Sequence, residues 1–196
     1  GVTTRALLTD MSAPLGYTVG NALEVREAVE VLAGGGPRDV VELTVGLATE
    51  MLECAGVTGV DVGAALKDGR AMDTWKTMIR AQGGDPDAAL PVAKEKTYIR
   101  AEKSGYITEM DALRVGYASW RLGAGRAYQG APIMATAGIE INKGVGEAIE
   151  AGEPLFTLHT DEPERFERAI DMLDGSTTID ANAAQSRASV ILDRVR

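Results

Sequence analysis

"TDMSAPLGYTVGNALEVREA", residues 9–28, joins a loop carrying Pro14, Gly16 and Gly20 to a segment with the marks of a capped helix. Asn21 is a preferred N-cap residue, and Glu24 stands three places later, the spacing of a capping box. Ala22, Val25, Val29 and Leu32 then recur at helical spacing and predict one buried face. "AGGGP" (33–37) ends the helix, because glycine accepts a left-handed cap and Pro37 cannot continue the hydrogen-bond ladder. Upstream, "TTRALLTD" (3–10) is rich in apolar and β-branched residues and predicts a buried strand that feeds the loop.

Outward from this stretch the first half stays helical. A second helix is expected over about 39–55, with Val40, Leu43, Leu47, Met51 and Cys54 as its buried stripe and Gly56 just past its end. Two shorter helices follow near 61–68 and 70–82. "GGDPD" (83–87) closes them and is the clearest boundary signal in the chain. Beyond residue 94 the pattern changes. Residues 96–111 read as two strands about a turn at Ser104–Gly105. "DALRVGYASWRLGAG" (111–125) predicts a helix capped by Asp111, with Met110, Leu113, Tyr117 and Trp120 inward. Short alternating strands occupy 132–160, and a last helix near 163–173 points Phe166, Ile170 and Leu173 at the core. The tail to Arg196 is polar and rich in small residues, apart from "VIL" at 190–192.

Composition narrows the function. The 196 residues carry 20 Lys and Arg against 29 Asp and Glu, a net charge of −9. No basic cluster is present to track a phosphate backbone, so nucleic acid is not an expected partner. No apolar run is long enough to span a bilayer, and no membrane association is expected. The single cysteine, Cys54, forms neither an internal disulfide nor a thiolate cluster, which points to the cytoplasm. Cys54 sits on an apolar stripe and reads as core.

Most catalytic signatures are missing: no HExxH, CxxC, GxSxG or Walker loop occurs. The glycines of "GAGRA" (123–127) follow a helix instead of linking strand to helix, and read as a helix stop. His159, the one histidine, ends the run "LFTL" with no Ser or Cys motif beside it and reads as structural. Glu24 is accounted for by capping and Glu30 by a solvated face. Glu27, about one turn into the helix, has no such account. A loop with inward carbonyls and one carboxylate nearby is hard-oxygen chemistry, suited to K⁺, Na⁺ or Ca²⁺.

The stretch 9–43, with its pattern TDM-x-x-PLG-x-x-x-GNALEV-x-EA followed by G-x-GP-x-D, closely resembles the thymidine and pyrimidine nucleoside phosphorylases. The resemblance continues through "DGRAMDTWKTMIRAQGGDP" (68–86), "GYITEMDALRVGYASWRLGAGR" (105–126) and "VGEAIEAGEPLFTLHTDE" (145–162). It implies the C-terminal portion of the family's central α/β domain over 1–90, then a β-rich α+β, barrel-sandwich-like C-terminal domain over 91–196. It also implies a homodimeric enzyme that acts on phosphate and a pyrimidine nucleoside, in reversible phosphorolysis of thymidine to thymine and 2-deoxyribose 1-phosphate. The family's phosphate- and base-binding segments fall upstream of Gly1. No catalytic residue therefore carries over, and the lone chain, which starts without Met inside a strand, is expected to be an inactive part of something longer. One site does carry over. The family's cation-binding carbonyls and carboxylate fall on Leu15, Thr18 and Glu27, which implies a K⁺ ion and no organic cofactor; Thr18 replaces an Ala, a tolerable change where the ligand is a backbone oxygen. Broader pyrimidine specificity is one alternative. The rhythm of "KGVGEAIEAGEPLFTL" suggests another, a non-catalytic biotinyl/lipoyl-like module, although "ITEMDALRV" lacks the lysine a carrier needs.

Overall fold

The computed structural model describes residues 1–182 and 189–195; the stretch 183–188 within the small-residue tail, and Arg196, lie outside it. The chain mixes helices and strands, the strands gathered in several sheets, so the expected α/β class holds. The chain divides into two compact units, each built from separated stretches. Unit 1 comprises Gly1–Asp10, Glu27–Ala89 and Ser189–Arg196, and unit 2 comprises Met11–Arg26 and Leu90–Ala188.

In unit 1, strand β1 (Ala6–Thr9) pairs antiparallel with β9 (Ile191–Val195) at the far end of the chain, with Leu7 opposite Arg194. β1 is half exposed instead of buried, since only Leu7 and Thr9 are partly covered. Helix α2 (Arg38–Cys54) lies against these strands through a face that apolar periodicity does not reveal. Its buried residues are Gly46 and Glu50, while Leu47 and Met51 of the expected stripe are 45% and 65% exposed. A Cβ on Gly46 would lie 2.5 Å from Ile191 Cδ1, so the missing side chain sets the approach of helix to strand. One turn on, Glu50 accepts from Arg5 (2.8 Å) and Arg194 (2.7 Å), and Arg5 also donates to Glu53. Helix α3 (Val62–Lys67) is capped by Asp61, whose Oδ1 accepts from the Ala64 N–H at 3.0 Å. Helix α4 (Arg70–Ala81) follows. Cys54 is only partly buried.

Unit 2 holds two antiparallel sheets. Strands β2 (Thr18–Val19), β5 (Gly138–Ile141), β7 (Pro154–Thr160) and β3 (Glu95–Arg100) form one in that order. Strands β6 (Ala148–Ile149), β4 (Gly105–Met110) and β8 (Thr177–Asp180) form the other. The two strands expected around Ser104–Gly105 both exist but belong to different sheets. Phe156, Leu158, Ile139 and Ile107, from both sheets, share one core with Val115, Ala118, Leu122 and Ala169.

Helix α5 (Ala112–Ser119) is capped as expected, with Asp111 accepting from the N–H groups of Leu113 and Arg114. Its buried face is Val115, Ala118 and Ser119, whereas Leu113 and Tyr117 are exposed. A π-turn over Trp120–Ala124 follows, with Gly123 at φ 109°. Helix α6 (Phe166–Leu173) buries Ala169 and Leu173, and leaves Ile170 41% exposed.

Candidate functional site

The loop 11–20 and the start of helix α1 (Asn21–Leu32) are seated in unit 2 by a close approach of two backbones. Gly20 has φ 133°, and a Cβ on it would lie 2.6 Å from Ala137 O and 2.7 Å from Gly138 Cα. On the other side, a Cβ on Gly138 would meet Val19 O at 2.7 Å and Leu23 Cδ1 at 2.8 Å. Only glycine satisfies both the dihedral and the distance. The helix therefore opens directly on the first residues of β5.

Capping differs from the expectation at one residue. Gly20 O accepts the first helical bond from Glu24 N–H at 2.9 Å, and Glu24 Oε1 accepts from Gly20 N–H at 2.7 Å. Glu24 thus closes the first turn as its position predicts, but Gly20 is the cap. The Asn21 amide is used elsewhere, since its Nδ2 donates to Ala124 O (2.9 Å) and Met134 O (3.0 Å). Ser119 Oγ donates to Val19 O at 2.8 Å. The "GN" pair is a docking device, and nothing in the local pattern separates it from a cap.

The helix face differs too. Ala22, Leu23, Glu27 and Val31 are buried, and Val25 is 40% exposed. A carboxylate accordingly lies on the covered face, with Glu27 only 9% exposed. Of the three residues expected to offer oxygens to a cation, Leu15 and Thr18 belong to unit 2 and Glu27 to unit 1. Leu15 is 40% exposed, and Thr18 is the first residue of β2, opposite Glu140. Thr18 Oγ1 is buried without a hydrogen-bond partner among the described residues. Among the described residues no three His, Cys, Asp or Glu side chains gather as a metal cluster.

The second polar feature is the outer face of the four-stranded sheet. Residues paired directly across a ladder share a face, so Thr18, Glu140, Thr157 and Tyr98 form one row and Gly138, His159 and Lys96 the next. Core residues Leu158 and Ile139 point the other way. His159 is 2% exposed, and its Nε2 lies 3.1 Å from Glu140 Oε2 without the alignment of a hydrogen bond. Glu140 Oε1 lies 3.7 Å from an Arg26 nitrogen on α1. Burial pushes the imidazole below its ordinary pKa, and Glu140 opposes that only in part. His159 is therefore a neutral, buried group at neutral pH, in keeping with a structural role.

An opening of about 840 Å³ in the same unit is bordered by Trp120, by Arg121, Arg165 and Arg168, and by Glu162, Glu164 and Glu167. Arg121 stacks 4.8 Å from the Trp120 ring, and Arg165 pairs with Glu162. Acidic and basic side chains balance around it, which leaves no net charge to select an ionic ligand. Among the described residues no helix is long and apolar enough to cross a membrane.

The chain is similar to several known proteins. A model of the pyrimidine nucleoside phosphorylase C-terminal domain matches residues 106–180. A protein named thymidine phosphorylase from Mycobacterium tuberculosis (strain ATCC 25618 / H37Rv) is 52% identical over 195 residues, covering 100% of this chain and 45% of the relative. A pyrimidine-nucleoside phosphorylase from Staphylococcus epidermidis (strain ATCC 12228 / FDA PCI 1200) is 41% identical over 192 residues, covering 92% of this chain and 44% of the relative. One from Staphylococcus aureus (strain NCTC 8325 / PS 47) is 37% identical over 190 residues, 91% of this chain and 44% of the relative. The chain thus spans just under half the length of the curated relatives it matches.

Proposed function

The chain belongs, by kinship along its whole length, to the family of thymidine and pyrimidine-nucleoside phosphorylases, and from that premise we propose that it is the C-terminal part of a thymidine phosphorylase. The intact enzyme would convert thymidine and phosphate to thymine and 2-deoxyribose 1-phosphate, reversibly. Attack at the anomeric carbon has oxocarbenium character, so catalysis rests on positioning phosphate and stabilising the departing base. In this reading those tasks fall to residues outside the chain. What the chain contributes is a rigid base, in which Gly20, Asn21 and Glu24 hold the loop and the start of α1 against β5.

The observation that carries the reading is the 52% identity over 195 residues to a protein named thymidine phosphorylase, against 41% for one named pyrimidine-nucleoside phosphorylase. The test is a phosphorolysis assay on the full-length protein that contains this chain. Thymine release from thymidine should require phosphate, and kcat/KM for thymidine should exceed that for uridine. Comparable values for the two nucleosides would favour the broader pyrimidine specificity. Absence of phosphate-dependent release would overturn the enzymatic reading altogether. The 1–196 chain alone should release no thymine. Homodimeric assembly in the cytoplasm belongs to the same reading, and sedimentation of the intact protein tests the dimer.

The reading also assigns a K⁺ ion to the Leu15 and Thr18 carbonyls and the Glu27 carboxylate. Oxygen-only donor chemistry and the burial of the Glu27 carboxylate support it. Bound there, the ion would supply positive charge that fixes the loop conformation, and no organic cofactor is involved. Glu27→Ala in the intact enzyme should weaken the K⁺ dependence of activity; an unchanged response would remove Glu27 from that role.

A further inference from the structure

Two buried side-chain polar atoms among the described residues lack a hydrogen bond, Thr18 Oγ1 and His159 Nε2. Both flank Glu140 on the outer face of the four-stranded sheet. Thr18 is its cross-strand partner, and the imidazole nitrogen lies 3.1 Å from its Oε2. The other carboxylate oxygen faces Arg26, 3.7 Å away on the first turns of α1. Glu140 is therefore shared between a buried imidazole that holds no hydrogen bond at Nε2 and an arginine that fastens a helix to the sheet. The charged groups around the imidazole are Glu140 from β5, Lys96 from β3 and Arg26 from α1.

We propose that His159, Glu140 and Arg26 form a proton-sensitive latch on α1, in which protonation of His159 draws the Glu140 carboxylate onto the imidazolium and away from Arg26. With His159 neutral, the carboxylate has one cationic neighbour on α1, and the helix start is held. Once His159 is protonated, a buried cation lies nearer than Arg26 to the same carboxylate. Desolvation makes that contact the stronger one, because unpaired buried charge is far more costly than a half-exposed ion pair. Lys96 directly across the ladder adds to the cost of the imidazolium, so Glu140 is the available counter-ion. Arg26 then turns to solvent, and the first turns of α1 lose that fastening while keeping the glycine contact, the Asn21 bonds and the bond from the Ala22 N–H to Ala135 O.

The single histidine makes the test direct, because one imidazole signal needs no assignment. In the full chain, the ring nitrogens of His159 are followed by NMR from about pH 7.5 to about pH 5, the range of histidine switching. Amide protection factors of Glu24, Val25 and Arg26 are measured in parallel. As the imidazole protonates, protection there should fall roughly two- to five-fold, the worth of a partly exposed ion pair. Protection across β5 and β7 should not follow. Glu140→Gln should abolish the step, and Arg26→Gln, a surface change, should show the reduced protection already at the higher pH and no further loss. The proposal is overturned if the imidazole titrates with no change at those three amides. It is equally overturned if the imidazole stays neutral until unit 2 unfolds, or if Arg26→Gln retains the wild-type step.

Discussion

Gly20 and Gly138 meet backbone to backbone, so that a Cβ on Gly20 would stand 2.7 Å from Gly138 Cα and 2.6 Å from Ala137 O. The two glycines lie 118 residues apart in sequence (138 minus 20), yet each makes room for the other. Gly20→Ala combines a left-handed dihedral with a collision against backbone, which cannot rotate away. It should destabilise unit 2 by roughly 2–4 kcal/mol. Of the chain's two tryptophans, Trp75 lies in unit 1 and Trp120 in unit 2. Urea unfolding followed by Trp120 fluorescence in a Trp75→Phe background therefore reads the effect, and an unshifted midpoint would contradict it.

Asn21 gives a sharper contrast. Its amide donates two bonds, to Ala124 O and Met134 O. Asn21→Ala should cost about 1–2 kcal/mol, seen in the same urea midpoint. If Asn21 were mainly an N-cap, Asp would serve as well as Asn. As a double donor to carbonyls, it leaves Asp worse than Ala, because a carboxylate would face two acceptors. The order wild type, Asn21→Ala, Asn21→Asp in falling stability separates docking from capping.

The elements themselves are legible in the sequence; the faces they bury are less so. Helix ends follow local chemistry, so Asp61, Asp111 and the stops at 33–37 and 83–87 fall where turn and cap residues put them. Apolar spacing, by contrast, cannot tell which side of a helix meets a neighbour. On α5 the small residues Ala118 and Ser119 are covered and Leu113 and Tyr117 are not. On α2 the contact is made by a glycine and a glutamate. Strand β8, "TTID", carries one buried residue, Ile179, and offers no apolar alternation to detect. The pairing of β1 with β9 joins the two ends of the chain, and no local signal predicts it. In the candidate cation site only Glu27 is a side-chain signal, because the Leu15 and Thr18 ligands of that reading are backbone carbonyls that any residue supplies.

Glu50 tests the α2 contact. It is 5% exposed and accepts from Arg5 on one side and Arg194 on the other. Glu50→Ala removes the carboxylate that Arg194 donates to and leaves Arg5 with Glu53 alone, and Glu50→Gln keeps its shape and one carbonyl oxygen. Amide protection of Arg194 and Val195 should fall about ten-fold in the alanine variant, the scale of one lost charged hydrogen bond. The glutamine variant should fall between it and the wild type. Equal protection in all three would show that β9 is held by its ladder to β1 alone.

The pH dependence of unit 2 follows from His159. Burial lowers its pKa in the folded chain below the ordinary 6.5, and the unfolded chain retains that ordinary value. Above about pH 6.5 the group is neutral in both states and has no effect. As pH falls through that value the unfolded chain takes up the proton first, so stability declines. The decline ends once pH passes below the folded value, where both states are protonated. Its slope is at most about 1.4 kcal/mol per pH unit for one proton. Asp161, held below the carboxylate range by the Lys94 N–H and the Thr136 hydroxyl, loses its stabilising effect only as pH drops below 3.8 and so lies outside this window. Urea midpoints at several pH values between about 7 and about 5, compared with His159→Gln, isolate the histidine contribution. The wild type should lose stability relative to the variant as pH falls. Parallel curves would mean that the imidazole titrates alike in both states and that its burial carries no energetic consequence.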